Sequence, residues 1–399
     1  MRYFIITGEQ SGDLHGSNLV REIIKRDDQA EISCWGGDLM QKAGATLLMH
    51  YRRTAFMGFL VVLKNLRTIT RNLYKCKEQI LNFNPDVVIL IDYPGFNLRI
   101  AEFAKECNFR VFYYISPKLW AWKENRVKKI KKYIDRMYII FPFEVDFYKK
   151  HNISVEFHGN PIVDETERRI SFFPGKAEIL RSIGLEEKPV IALLAGSRKH
   201  EVEQILPQML KVMPHLPEYQ FVLAGVTNLP DDLYHKIIKS KPVKLIKEGT
   251  YEVLYLAQAA LVTSGTATLE TALMNVPQVV CFKGDFFSML IAWIVIKVKY
   301  ISLVNLIMEK EVVKELIQFS LTEKNLLTEL KAVLPGGFKR EKMLSDYKIL
   351  KGKLGSEGAS ERIALDMVST LKEIKRRGRE KSVEEWESGR VGELGEPEK

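Results

Sequence analysis

The chain has 399 residues, enough for two ordinary domains. Hydrophobic residues make up 46% and charged residues 28%, which excludes a disordered chain. A formal charge of +10 favours anionic partners such as phosphorylated substrates or acidic lipid.

The amino terminus, MRYFIITG, passes directly into a strand pattern, so no secretory signal is read there. Cys34, Cys76, Cys107 and Cys281 lack metal-ligand spacing and read as reduced thiols of a cytosolic protein. The longest apolar run, 286–296, is shorter than the ~20 residues a membrane-spanning helix needs.

The strand YFIIT is followed by the loop Gly8-Glu9-Gln10-Ser11-Gly12-Asp13 and a helical pattern. A glycine loop between strand and helix ordinarily cradles phosphate, but Glu9 and Asp13 would repel a pyrophosphate. They suit hydroxyls, or Ser11 and Asp13 serve as helix caps. Next, 54–77 places Phe56, Phe59, Leu60, Leu63 and Leu66 near Lys64, Arg67 and Arg71. That mix suits a helix in a lipid interface, and a core helix has the same periodicity.

The apolar strand 87–91 ends in Asp92, within DYPGFN. A carboxylate at that strand end can take a proton from an alcohol, or cap the following helix. Asn97 could orient a ligand or cap. Strands are also expected at 110–115 and 137–141. Between them, Arg126, Lys128, Lys129, Lys131 and Lys132 crowd one basic helix after Trp120 and Trp122. No nucleic-acid-binding motif accompanies that helix, so nucleic acid is not expected as a partner. The pattern weakens at 160–187, which reads as a linker.

Alternation resumes with strands at 190–197, 220–225, 243–247, 259–265 and 278–282. Gly196 and Ser197 permit close backbone approach at a helix foot, and Arg198 adds a bidentate fork, so a diphosphate is expected there. Ser264-Gly265-Thr266 lead onto a second helix N-terminus, and Glu270 one turn in can accept from both ribose hydroxyls. Continuous apolar strands alternating with helices predict two doubly wound α/β halves facing a central cleft.

The ordered set GEQSGD, MGF, DYPGFN, SPKLWAWKENRVKKI, FPFEVDFY, GSRKHEV, SGTATLE and ISLVNLI followed by VVKELIQ resembles the lipid-A-disaccharide synthase family. The similarity runs to about Gln318. Departures are Ala195 and Val304 where proline is usual, Asn160 where histidine is common, and Val61 in place of an acidic residue.

The resemblance implies a GT-B fold and an inverting, metal-independent glycosyl transfer without cofactor. Its substrates are UDP-2,3-diacylglucosamine and 2,3-diacylglucosamine 1-phosphate; its products are a β-1,6-linked disaccharide 1-phosphate of lipid A biosynthesis and UDP. A UDP-sugar 2-epimerase of the same fold is the alternative. Asp92 would be the base, and Glu9, Ser11, Asp13 and Asn97 would face the acceptor. Gly196, Ser197, Arg198, Ser264, Gly265, Thr266, Glu270, Asn305 and Gln318 would hold the donor.

Expected domains are 1–163 for the acceptor, 164–340 for the UDP-sugar, helices over 341–375 that could pack back on the first domain, and a disordered tail at 376–399. The expected location is cytoplasmic, peripheral to the inner face of a Gram-negative cytoplasmic membrane, with anionic lipid contact through the 56–66 apolar residues. A homodimer is left open.

Overall fold

The computed structural model describes residues 1–54, 65–117, 119, 126–284 and 299–393. Seven parallel strands form the first sheet: β1 (Arg2–Ile6), β2 (Glu31–Gly36), β3 (Thr46–His50), β4 (Val87–Ile91), β5 (Arg110–Tyr114), β6 (Arg136–Ile139) and β7 (Glu156–Phe157). Their spatial order is β3-β2-β1-β4-β5-β6-β7. Six parallel strands form the second: β8 (Val190–Leu194), β9 (Gln220–Gly225), β10 (Val243–Lys247), β11 (Ala257–Thr263), β12 (Gln278–Phe282) and β13 (Lys314–Ile317), ordered β10-β9-β8-β11-β12-β13.

Strands β4 and β8 are buried along their whole length because helices cover both sheet faces. In each sheet the order reverses between two central strands, β1 and β4 in the first, β8 and β11 in the second. A crevice opens outside the carboxyl ends of strands at such a reversal, and ligands of open α/β sheets bind there.

One continuous core joins the halves. It contains Ile5, Ile89, Leu193 and Leu261 from the sheets together with Leu350, Met367 and Leu371 from the C-terminal helices. Helix Arg340–Leu354 packs on the second half, against helices Thr266–Leu273 and Leu303–Met308. The chain then returns: helix Ala359–Glu393 lies on helices Gln10–Ile24 and Pro161–Ser171. The two crossings meet where the Asn160 amide donates to the Leu354 carbonyl at 2.9 Å.

The stretch 160–187, read as a linker, contains the helices Pro161–Ser171 and Lys176–Ser182. Asn160 explains the first of these: fully buried, it accepts from the Ile162 amide at 2.9 Å and donates to the Ile140 carbonyl at 2.9 Å. Within the 376–399 stretch, expected to be disordered, helix continues to Glu393. Glu, Lys and Arg are good helix formers even without an apolar face, and ion pairs Arg377–Glu373 and Arg376–Glu380 lie one turn apart.

Candidate active site

At the first reversal, β1 leads into Thr7, Gly8 and Glu9, and β4 leads into Asp92. Asp92 and Tyr93 are both left-handed, with φ of 44° and 48°, and Ile115 at the end of β5 has φ of 63°. Three non-glycine residues in this sparse region at one sheet edge mark stored backbone strain of the kind that clusters at functional sites.

The surroundings hold the strained turn. Asn97 donates to the Asp92 carbonyl at 2.8 Å and to the Ile91 carbonyl at 3.2 Å, and the Tyr113 hydroxyl donates to the Asp92 carbonyl at 2.5 Å. The main chain of the half-buried Asp92 is thus fixed at the carboxyl end of β4. Tyr93 closes one wall. Its hydroxyl donates to the Thr54 carbonyl at 2.7 Å, and its ring stacks on Phe96, which stacks on Trp35. A Cβ on Gly8 would stand 2.4 Å from that ring, so only glycine lets the first loop lie against it. Burial and then the nearby Glu9 charge push the Tyr93 hydroxyl up to about 12.

The four acceptor-side expectations divide here. Glu9 is the half-buried N-cap residue of helix Gln10–Ile24, and Ser11 is exposed beside it. Asp13 turns the other way. It is 2% exposed, and its carboxylate accepts from the amides of Gly37 at 2.8 Å, Leu39 at 3.1 Å and Met40 at 3.1 Å. It therefore caps helix Asp38–Lys42 and is turned into the protein, contrary to its expected acceptor role. Asn97 is fully buried and supports Asp92 from behind, so direct acceptor contact is corrected as well.

At the second reversal the loop after β8 contains Gly196, whose φ of 107° needs glycine. Expectation put a diphosphate on the next amides. In the structure they already hold a carboxylate: Glu201 Oε2 accepts from Ser197 N at 3.0 Å and Arg198 N at 3.2 Å. Glu201 also pairs with the Arg198 guanidinium at 3.3 Å. The Arg198 side chain, though paired with Glu201, remains half exposed.

The loop after β11 is different. Gly265 begins helix Thr266–Leu273 with no side-chain cap, and Gly265 and Thr266 are exposed. Ser264 turns its hydroxyl to the Ile301 carbonyl at 2.8 Å. Among the described residues no side chain caps this helix, and an uncapped helix N-terminus favours an anion.

Glu270 follows one turn on. The Tyr251 hydroxyl donates to Glu270 Oε1 at 2.9 Å. The Glu270 surface is only half-buried, yet its carboxyl is enclosed; burial raises its pKa, the Tyr251 bond opposes this, and Glu165 adds to the rise. Asn305 departs from expectation. It is fully buried and donates to the Val313 carbonyl and Glu315 Oε1, both at 2.9 Å. Its carbonyl accepts from the amides of Val312 at 2.7 Å and Val313 at 3.0 Å. Every hydrogen-bonding site of this amide is used, so it shapes the entry to β13 and does not reach the donor. Gln318, left-handed at the carboxyl end of β13, donates to the Gly284 carbonyl at 3.1 Å.

Of the expected membrane residues, Phe56, Phe59, Leu60 and Leu63 lie outside the described residues, as do Trp120 and Trp122. Leu66 opens helix Leu66–Phe83 and is half exposed, while Leu73, Cys76 and Ile80 turn the later part of that helix into the core. No described helix is long and apolar enough to cross a membrane. Sequence reading passed over Glu201 and Tyr251. Glu201 had a signal, an acidic residue three positions after an N-cap; Tyr251 had none, because only the fold brings it to Glu270.

Residues 3–366 match the family described as lipid-A-disaccharide synthetase. Lipid-A-disaccharide synthase of Syntrophus aciditrophicus is 39% identical, over 92% of this chain and 97% of its own length. That of Geobacter sulfurreducens is 35% identical, over 91% and 95%. Among solved structures, S. aureus MnaA with UDP has a TM-score of 0.67 at 13% identity, covering 93% of this chain and 97% of that one. A Neisseria meningitidis UDP-GlcNAc 2-epimerase bound to UDP-GlcNAc also has 0.67 at 13%, covering 92% and 100%. The calicheamicin glycosyltransferase CalG4 has 0.59 at 13%, covering 94% and 98%. These structural likenesses establish the fold, two facing parallel-sheet halves of the GT-B type, shared by transferases and epimerases. The family match and the curated relatives decide between those chemistries: the chain belongs to the lipid-A-disaccharide synthase family of glycosyltransferases.

Proposed function

We propose that this chain transfers 2,3-diacylglucosamine from UDP-2,3-diacylglucosamine to the 6-hydroxyl of 2,3-diacylglucosamine 1-phosphate, giving a β-1,6-linked disaccharide 1-phosphate and UDP. One observation carries the reading: a carboxylate on a strained, braced turn stands at one strand-order reversal, and uncapped amides with a half-exposed arginine stand at the other.

In this scheme Asp92 takes the proton of the 6-hydroxyl as its oxygen attacks the anomeric carbon. The bond from that carbon to the diphosphate oxygen breaks on the opposite side, which inverts the centre. General-base assistance of this kind contributes about 10²–10⁴-fold. The amides at 265–266 and the Arg198 fork receive the negative charge that grows on the leaving diphosphate. Glu270 accepts from the ribose hydroxyls, Gln318 borders the donor side, and Glu9 and Ser11 orient acceptor hydroxyls. Both substrates carry acyl chains. The 56–66 apolar segment and the net positive charge support peripheral work on the inner, acidic face of the cytoplasmic membrane.

The test is an assay of purified protein with both glycolipids, following UDP release and the disaccharide product together. The proposal expects one UDP per disaccharide formed and no turnover without acceptor. Donor consumption without acceptor, accompanied by a 2-epimer, would replace it with epimerase chemistry.

A further inference from the structure

Glu270 does not stand alone in the second half. Tyr251, on helix Thr250–Leu256, donates to its Oε1 at 2.9 Å. The Arg169 guanidinium lies over the Tyr251 ring at 5.6 Å. Arg169 is anchored in turn by Glu165 at 2.8 Å, and Glu165, 3% exposed, also binds Arg168 at 2.8 Å. The phenol is therefore flanked on one face by a cation that is itself held by an ion pair to the buried Glu165. A clamped donor on one carboxylate oxygen leaves the other oxygen and the remaining lone pairs aimed in a fixed direction. Without that donor, burial and the Glu165 charge would push Glu270 toward its neutral form, which is a poorer acceptor.

We propose that Tyr251 is a positioning residue for nucleotide recognition: its hydroxyl, held by the Arg169–Glu165 pair, orients the Glu270 carboxylate toward the ribose hydroxyls. This rests on the ribose-binding reading of Glu270, and the experiment separates the two.

UDP and 2′-deoxy-UDP are titrated calorimetrically into the wild type, Glu270→Gln and Tyr251→Phe. The wild type is expected to prefer UDP by about tenfold or more, the scale of one hydrogen bond to a charged group. Glu270→Gln should bring the two nucleotides within a few-fold. If it leaves the preference intact, the ribose reading fails and the proposal with it. If Glu270→Gln removes the preference and Tyr251→Phe also cuts it severalfold, mainly by weakening UDP, the proposal stands. If Glu270→Gln removes the preference while Tyr251→Phe matches the wild type, Tyr251 has no positioning role. A crystal of the wild-type UDP complex provides the same decision without a variant. Tyr251 should remain on one Glu270 oxygen while the ribose bonds that carboxylate; a complex in which Tyr251 has left Glu270 overturns the proposal.

Discussion

The two strand-order reversals share a topology and differ in how they dispose of charge. At the first, one of the two loop carboxylates, Asp13, is folded away onto three amides, and the other acidic residues of the reversal, Glu9 and Asp92, are half-buried at the carboxyl ends of β1 and β4. At the second, an internal carboxylate covers the loop after β8, and among the described residues no side chain caps the helix after β11. In the proposed scheme the same strand–loop–helix unit serves hydroxyls at the first reversal and phosphate at the second, and the side chains beside each loop differ accordingly: Glu9 and Asp92 at the first, Arg198 at the second. A glycine loop by itself does not say which.

The largest expected effect tests the acidic side. Asp92→Asn should lower turnover about 10²–10⁴-fold in a UDP-release assay. A loss of only a few-fold would remove Asp92 as the base.

Asp13→Ala should act on stability instead, since it leaves buried amides without an acceptor. A cost of about 3 kcal/mol is expected in urea unfolding. Unchanged stability with weaker acceptor binding would return Asp13 to the crevice.

His15, two residues on, is 7% exposed, and burial pushes it down to about 4 from 6.5, with Glu165 and Asp164 opposing. The unfolded chain takes the proton first, so stability should fall as pH drops from 6.5 towards 4, by up to about 3 kcal/mol. His15→Leu should flatten that limb of the stability curve; an unchanged slope would assign it to other groups.

The smallest effect belongs to the second reversal. Glu201→Gln keeps an acceptor for the Ser197 and Arg198 amides and removes a negative charge beside Arg198. UDP affinity should rise about threefold, the scale of a partly screened charge contact. A fall would mean that Glu201 holds Arg198 in its binding pose.

Much of this was legible before any coordinates. β4 and β8 read as strands because continuous apolar runs have few alternatives, and Asp92 and Arg198 stand out because charge at the end of such a run is unusual. β2 and β3 went unread: EISCWG and TLLMH are short and mixed in polarity, and only pairing in the sheet, β2 on β1 and β3 on β2, makes them strands. Asp13 and Asn305 were misassigned for a common reason. Sequence shows that a polar group is present, but its hydrogen-bond partners come from Gly37–Met40 and Val312–Glu315, whose approach is a product of the fold. Tyr251 is the converse, a residue whose relevance exists only through its neighbour Glu270.

UDP affinity measured on the matched pair Asp92→Asn and Arg198→Gln tests the separation of roles most directly. The predicted result is wild-type affinity for Asp92→Asn and a loss of about tenfold for Arg198→Gln, as expected for one charge-assisted contact to phosphate. Weakened UDP binding in Asp92→Asn, with Arg198→Gln unaffected, would contradict it and place the nucleotide at the first reversal.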